Sequence, residues 1–240
     1  MMTPLTSLGT VLVVWAHPDD ETYLVGGLSA ALSDAGQRVV CVTATRGEAG
    51  GTDPDLADIR TAELDTALDL LGVREHHWLD YPDGGCASVD DEAAAARVRA
   101  VMDDVRPDTV VTFGPDGYTG HPDHRSVSRW VDLAVTRPEP MGVRLLHAVA
   151  REHPVDHGLD EDFGVFELGR PRVCADDELA VLLPLDGALL DRKIAALLAQ
   201  ESQTAGLVAA VGLSRFRAWV ATEALAEPRG KPLGPRGALP

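Results

Sequence analysis

Cysteine is scarce in this chain. There are three in 240 residues, Cys41, Cys86 and Cys174. They lie far apart and leave one unpaired, which argues against a disulfide framework. Cys41 falls inside an apolar run and reads as a core residue. Basic residues are also few, with 21 Lys and Arg against 38 Asp and Glu and a formal net charge of −17. A nucleic-acid partner requires a basic face, and docking on anionic lipid requires a basic cluster; neither partner is expected. No targeting segment is apparent. Residues 1–10 lack a basic stretch, and Val11 to Ala16 is too short for a signal core or a membrane span. A cytoplasmic location is the expectation. The GxGxxG spacing is missing too. The Gly-rich loop Thr45 to Pro54 does not carry it, and the turn after the first strand carries acids where a pyrophosphate would sit. A dinucleotide-binding Rossmann protein therefore fails on charge.

What is present is an alternation of apolar, β-branched runs with helical periodicity. Strands are expected at Val11 to Ala16, Arg38 to Ala44, Glu75 to Leu79, Asp108 to Phe113, Val143 to Val149 and Leu179 to Leu185. Helices are expected at Glu21 to Ala35, Asp55 to Leu71, Asp90 to Val105, from Pro122 to Thr136, and Leu189 to Gln200. Gly36 and Gly72 stop the first two helices, and Gly26-Gly27 allows close packing of the first. Arg137-Pro138-Glu139-Pro140 reads as a linker, residues 156–172 as an irregular rim with short strands, and no repeat is evident beyond the doubled HPD device. The pattern predicts an α/β, Rossmann-like, mostly parallel sheet with helices on both faces. A single domain over residues 1–227 and a flexible Pro/Gly-rich tail over 228–240 follow.

The chemistry concentrates at two strand ends. Val11 to Glu21, VLVVWAHPDDE, runs as a strand into His17-Pro18-Asp19-Asp20-Glu21. Pro18 ends the strand, and the acids fall in the first turn of the next helix, where the macrodipole favours negative charge. A second site, Phe113 to His124, FGPDGYTGHPDH, repeats the device of strand, Gly-rich loop and Pro-started helix. Either turn alone could be a capped, solvated loop. Two such His/Asp clusters at equivalent strand ends point instead to a cation such as zinc, held by ligands from distant strand ends with one position open for water. The carboxyl ends of strands are where open α/β sheets place ligands. His76-His77 is excluded from that site, since adjacent strand residues point to opposite faces. His153 and His157 imitate the motif, but no helical run follows them.

AHPDDE and GHPDH, about a hundred residues apart, resemble the LmbE/PIG-L family of zinc-dependent N-deacetylases, which hydrolyse acetamido groups mostly on glucosamine-containing substrates. The resemblance runs from about Thr10 to Gln203. It includes Thr45-Arg46-Gly47-Glu48, Arg60-Thr-Ala-Glu63, Leu79-Asp80-Tyr81-Pro82-Asp83-Gly84, Arg106-Pro107-Asp108, Lys193 and Ser202-Gln203. It implies His17, Asp20 and His124 as ligands to Zn²⁺, with Fe²⁺ able to substitute, and Asp19 as general base. It further implies a protonated His121 stabilising the oxyanion, with Asp123 orienting it and raising its pKa. Arg60 and Asp83 would bind sugar hydroxyls, although Arg60 and Glu63 could instead form a surface pair. Glu21 is expected to cap or support rather than bind metal. Where some relatives have Tyr the chain has Thr119, with Tyr118 one step earlier. Where relatives often have His it has Gln200. The implied partner is a small N-acetylated sugar, and the chain could form a homo-oligomer. Alternatives are a metal-dependent amidase of a larger thiol-sugar conjugate and a non-catalytic metal- or sugar-binding module.

Overall fold

The computed structural model describes residues 5–137, 141–152 and 163–229. Four strands, β1 (Val11–Trp15), β2 (Val39–Thr43), β4 (Thr109–Phe113) and β5 (Arg144–Ala148), are buried along nearly all their length. That is the signature of a sheet covered on both faces. With β3 (Glu75–Trp78), they pair in parallel in the order β3-β2-β1-β4-β5. Val13, for example, stands opposite Cys41 on one side and Val111 on the other. The crossover helices are α1 (Asp20–Asp34), α2 (Leu56–Leu71), α3 (Asp91–Val105) and α4 (Pro122–Thr136). Right-handed crossovers put α1 and α2 on one face and α3 and α4 on the other. The winding direction reverses between β1 and β4. Trp15 and Phe113 meet edge to face there, 4.8 Å between centroids, in the middle of the core. The three cysteines are free and buried.

Past β5 the strand expected over Leu179 to Leu185 and the helix expected over Leu189 to Gln200 are both present, and further elements are added. Short strands β6 (Ala150–Arg151) and β7 (Val173–Cys174) pair with each other. β8 (Val181–Pro184) is followed by three helices, α5 (Gly187–Ala199), α6 (Glu201–Val211) and α7 (Leu213–Trp219), and then by β9 (Thr222–Ala226). Strand β9 lies between β5 and β8 and is antiparallel to both. The sequence pattern predicts no regular element between Gln200 and the tail. The linker at 138–140, His153 and His157, and the tail from 230 lie outside the described residues. Among the described residues no single helix is long and apolar enough to cross a membrane. Only α5 and α6 together would be, and they are bent by 115°.

Strand β9 also explains an interruption in α1, which the sequence presents as one continuous helix. Val25 leaves helical geometry, with φ −145° and ψ 21°. The regular bond from the Gly27 N–H to the Tyr23 carbonyl is replaced by a buried bridge. Glu223 of β9 accepts from the amides of Gly27 and Leu28, both at 2.7 Å. The Lys193 ammonium donates to Tyr23 O and to Glu223 Oε1, both at 2.8 Å. Gly27 lies close beside it, where a Cβ would come within 2.5 Å of the Leu185 side chain and force that side chain to shift. Lys193 is wholly buried and Glu223 nearly so, so each is tolerable only with its partner. Lys193→Met should therefore destabilise by about 3–5 kcal/mol. Adding Glu223→Gln should recover much of that loss. Denaturant unfolding of the single and double variants measures both quantities, and equal stability of the two would contradict the bridge.

Candidate active site

Pro18 stands three residues past Trp15, the end of β1, and the turn into α1 places Asp19 at φ 105°, a strained conformation for a residue with a Cβ. The backbone is held there from two sides. The Asp19 N–H donates to Glu21 Oε2 at 3.1 Å, and the Asp19 carbonyl accepts from Thr22 and Tyr23. His17 is tied to the same turn through its amide, which donates to Asp20 Oδ2 at 2.9 Å. Across the switch point, His124 sits in the first turn of α4, stacked on Phe113 with centroids 4.1 Å apart.

The tautomers of these two rings follow from their partners. His124 Nδ1 donates to the Gly117 carbonyl at 2.9 Å, so a neutral ring leaves its Nε2 with a lone pair. His17 Nε2 faces two carboxylates, Asp83 Oδ1 at 3.0 Å and Asp123 Oδ2 at 3.4 Å, so it carries a proton there, and despite burial the bonds to Asp123, Asp20 and Asp83 raise the ring's proton affinity well above its ordinary value. Protonated also on Nδ1, His17 donates to His124 Nε2 at 3.1 Å, and a bound cation would replace that proton between the two nitrogens. Asp20 completes the triangle, with Oδ2 at 3.6 Å from His17 Nδ1 and Oδ1 at 3.4 Å from His124 Nε2. Ligands bonded at the 2.0–2.2 Å usual for zinc stand about 3.3 Å apart around a tetrahedron. Asp20 turns one oxygen toward each ring. His17, His121 and His124 offer ligand atoms within 4.8 Å of one another and could hold a metal ion, and His17, Asp83 and Asp123 form a second such grouping.

The protein groups alone set strongly divergent proton affinities. Burial and the neighbouring Asp20 push Asp19 up to about 8, against the pull of Arg60. Asp20 falls to about 2, because His124 and His17 outweigh a desolvation that works the other way. Burial carries His124 down to about 4. Two adjacent carboxylates with opposite shifts are the pattern expected where one acid binds charge and the other exchanges a proton.

Two expectations are corrected here. The Asp123 carboxylate does not hold His121. It is fully buried, accepts from Gly84 N at 2.7 Å and Cys86 N at 3.1 Å, and turns to His17 Nε2. It is the backbone amide of Asp123 that donates to His121 Nδ1, at 3.2 Å, because His121 is the N-cap of α4. Asp123 raises the His121 pKa only through space, and burial and His17 prevail, so the imidazole sits below its ordinary value. The Arg60–Glu63 surface pair is also absent. Glu63 accepts from the Ser202 amide and hydroxyl, and Arg60 is buried. Its guanidinium donates to Pro18 O, to Gly47 O and, at 3.3 Å, to Asp19 Oδ2.

Other residues fall where expected. Glu21 is buried outside the cluster; its Oε1 accepts from Gln200 Nε2 at 2.9 Å and from Thr22 Oγ1. Gln200 thus occupies its position as a structural donor. His76 is bonded to Thr43 and packed on Trp78, away from the site. Sequence reasoning missed Gly117 and Phe113 as supports of His124, and the contact of Asp83 with His17. Only Asp83 had a signal, its Gly-flanked loop at a strand's carboxyl end. His17, Asp19, Asp20, Arg60, Asp83, His121 and His124 all line a cavity of about 700 Å³, with Tyr118 and Thr119.

The fold and this cluster define a doubly wound α/β protein with a His/Asp cluster, able to hold a metal ion, at its topological switch point. A protein-family model described as PIG-L, GlcNAc-PI de-N-acetylase, matches residues 12–135, just over half of the chain. The chain belongs to the PIG-L family. It is 40% identical over 148 residues to a 1D-myo-inositol 2-acetamido-2-deoxy-alpha-D-glucopyranoside deacetylase of Kineococcus radiotolerans, covering 48% of this chain and 41% of that one. A Mycobacterium protein of the same description is 33% identical, with 85% and 76% covered. For the first three such relatives the chain spans 41% to 66% of their length. Among solved structures, the N,N'-diacetylchitobiose deacetylase of Pyrococcus horikoshii matches with TM-score 0.62 at 23% identity, covering 92% and 84%. A 4-carboxy-2-hydroxymuconate hydratase of Pseudomonas putida matches with TM-score 0.59 at 20%, covering 93% and 98%. The shared fold therefore does not fix the reaction.

Gly47 lies against the buried guanidinium at φ 72°, where a Cβ would come within 2.3 Å of Arg60 Cζ. Gly47→Ala should cost about 1–2 kcal/mol in backbone strain and more for displacing Arg60. Gly84→Ala, at φ 73° with nothing within 4 Å of its Cβ, should show the backbone part alone. Thermal or denaturant midpoints of the two variants test the difference.

Proposed function

We propose that this protein is a zinc-dependent hydrolase that removes the acetyl group from an N-acetylated amino sugar. One observation carries the proposal: His17, His124 and the Asp20 carboxylate converge beside Asp19 in a cavity large enough for a substrate. The descriptions of the relatives support the acetamido sugar. His17, Asp20 and His124 would hold the zinc. Bound there, zinc would lower the pKa of water and polarise a carbonyl.

The remaining work falls to the chain's own groups. Asp19 takes the proton of the attacking water, and its unusually high proton affinity, moderated by a bound cation, suits a base that must later return that proton. Arg60 and Glu21 keep it aimed, one through the carboxylate and one through the backbone amide. His121 need not be cationic. With Nδ1 accepting from Asp123 N, its neutral ring carries the proton on Nε2, a donor for the developing oxyanion. Asp83 and Asp123 fix the His17 ring, as carboxylates do behind metal-bound imidazoles. The acyl C–N bond breaks, water oxygen joins the acyl carbon, and the amine leaves with a proton.

Metal analysis of purified protein should find about one equivalent, its identity separating zinc from iron(II). Alanine at His17, Asp20 or His124 should empty the site, whereas His76→Ala should not. Full occupancy in His124→Ala would sink the ligand set.

Asp19→Asn should retain metal and lose about 10²–10⁴-fold in acetate release from N-acetylated sugars. His121→Ala should likewise keep its metal and lose about 10²–10³-fold in kcat. Normal turnover in Asp19→Asn would move the base elsewhere.

A further inference from the structure

One titratable side chain of the cavity has no part in the chemistry above. Tyr23 lines the cavity together with Asp19 and follows it by one turn of α1, so the two lie along the same side of the helix. Nearly all of this residue is committed to the fold. Its N–H donates to the Asp19 carbonyl at 2.9 Å, and its own carbonyl accepts from the buried Lys193 ammonium at 2.8 Å. Its ring meets Phe216 and Trp219 of α7 edge to face, with centroids 6.2 and 5.9 Å away, a favoured aromatic geometry. Phe216 is wholly buried, which holds the clamp in place.

The phenol hydroxyl is the exception. Tyr23 is half-buried, yet its hydroxyl bonds to no described residue and is not sealed away from the cavity. A tyrosine packed among aromatic rings ordinarily finds a partner for its O–H, and phenylalanine would fill the same clamp. The hydroxyl thus serves no contact within the protein. Burial and the nearby charge of Asp19 hold the phenol pKa above its ordinary value, so the group stays a hydrogen-bond donor.

We propose that Tyr23 is a specificity-determining residue, its hydroxyl donating to a substrate oxygen that flanks the acetamido group. This rests on the hydrolase reading above and adds a substrate contact to it. The location follows from Asp19. The base must reach the water that attacks the acetamido carbonyl, and residues one helical turn apart have Cβ atoms only about 5–6 Å from each other. The phenol therefore addresses the atoms next to the acetamido-bearing carbon, not the far end of a sugar. On a 2-acetamido sugar those neighbours carry the anomeric oxygen and the 3-hydroxyl. A donor aimed at such an oxygen discriminates because it is left unpaired when the oxygen is missing.

The test is a cycle of two enzymes and three substrates. Zinc-loaded wild type and Tyr23→Phe are given the methyl glycoside of N-acetylglucosamine, its 3-deoxy analogue and the 1-deoxy sugar, and acetate release is followed. Tyr23→Phe keeps the ring between Phe216 and Trp219 and should lower kcat/KM for the parent glycoside by about 10-fold. One deoxy compound should be poorer by a similar factor with the wild type and lose nothing further with Tyr23→Phe. The other should show the same wild-type-to-variant ratio as the parent. The compound whose ratio falls to one identifies the oxygen. Ratios between substrates read only active enzyme, so partial misfolding of the variant does not imitate this pattern. Unchanged kcat/KM for all three substrates in Tyr23→Phe, or an equal loss with all three, would overturn the proposal while leaving the hydrolase reading intact. No acetate from any of them with either enzyme would remove the hydrolase reading, and this contact with it.

Discussion

The approach of His17 Nδ1 to His124 Nε2, 3.1 Å apart, is the constraint on which the rest of this structure depends. Two such nitrogens stay that close only with a proton or a cation between them. Everything around the pair works to keep these two nitrogens facing each other. Asp83 and Asp123 claim the far nitrogen of His17, and Gly117 claims that of His124. Asp123 is in turn anchored by two peptide N–H groups from the loop after β3. Three loops and the start of one helix thus fix two rings.

The same logic extends to Asp19. A carboxylate useful as a base must be aimed without being neutralised. Arg60 touches it at 3.3 Å while giving other donors to the carbonyls of Pro18 and Gly47. The guanidinium is therefore as much a brace for the turn as a counter-charge. Glu21 grips the backbone of Asp19 from the other side and is itself held by Gln200 and Thr22. Rigid positioning of this kind is what catalysis by oriented groups demands.

The central parallel sheet and the convergence of His17, Asp20 and His124 were legible because each depends on local signals: uninterrupted apolar strands, Pro at strand ends, and two repeated motifs at corresponding positions. What was not legible depended on distance. Asp123 stands two residues from His121, and sequence proximity suggested that pairing. The fold instead brings peptide groups of Gly84 and Cys86 to its carboxylate and turns it toward His17. Strand β9 was missed because TEALA has little β-branching and carries a buried glutamate, whose role appears only when α1 is seen to break at Val25. That break left no mark in the sequence, since a Gly-Gly pair reads equally well as close packing.

The Glu223 bridge to Gly27 joins residues 196 positions apart. Loop closure over that distance must precede any gain from the contact. During synthesis from the amino terminus, His17 and Asp20 emerge early, yet the helix they begin lacks its mid-point partner until β9 has been made. The first turn of α1 is thus among the earliest parts of the site to exist and among the last to be fixed. Its geometry is settled by the arrival of a strand that contributes no residue to the His/Asp cluster.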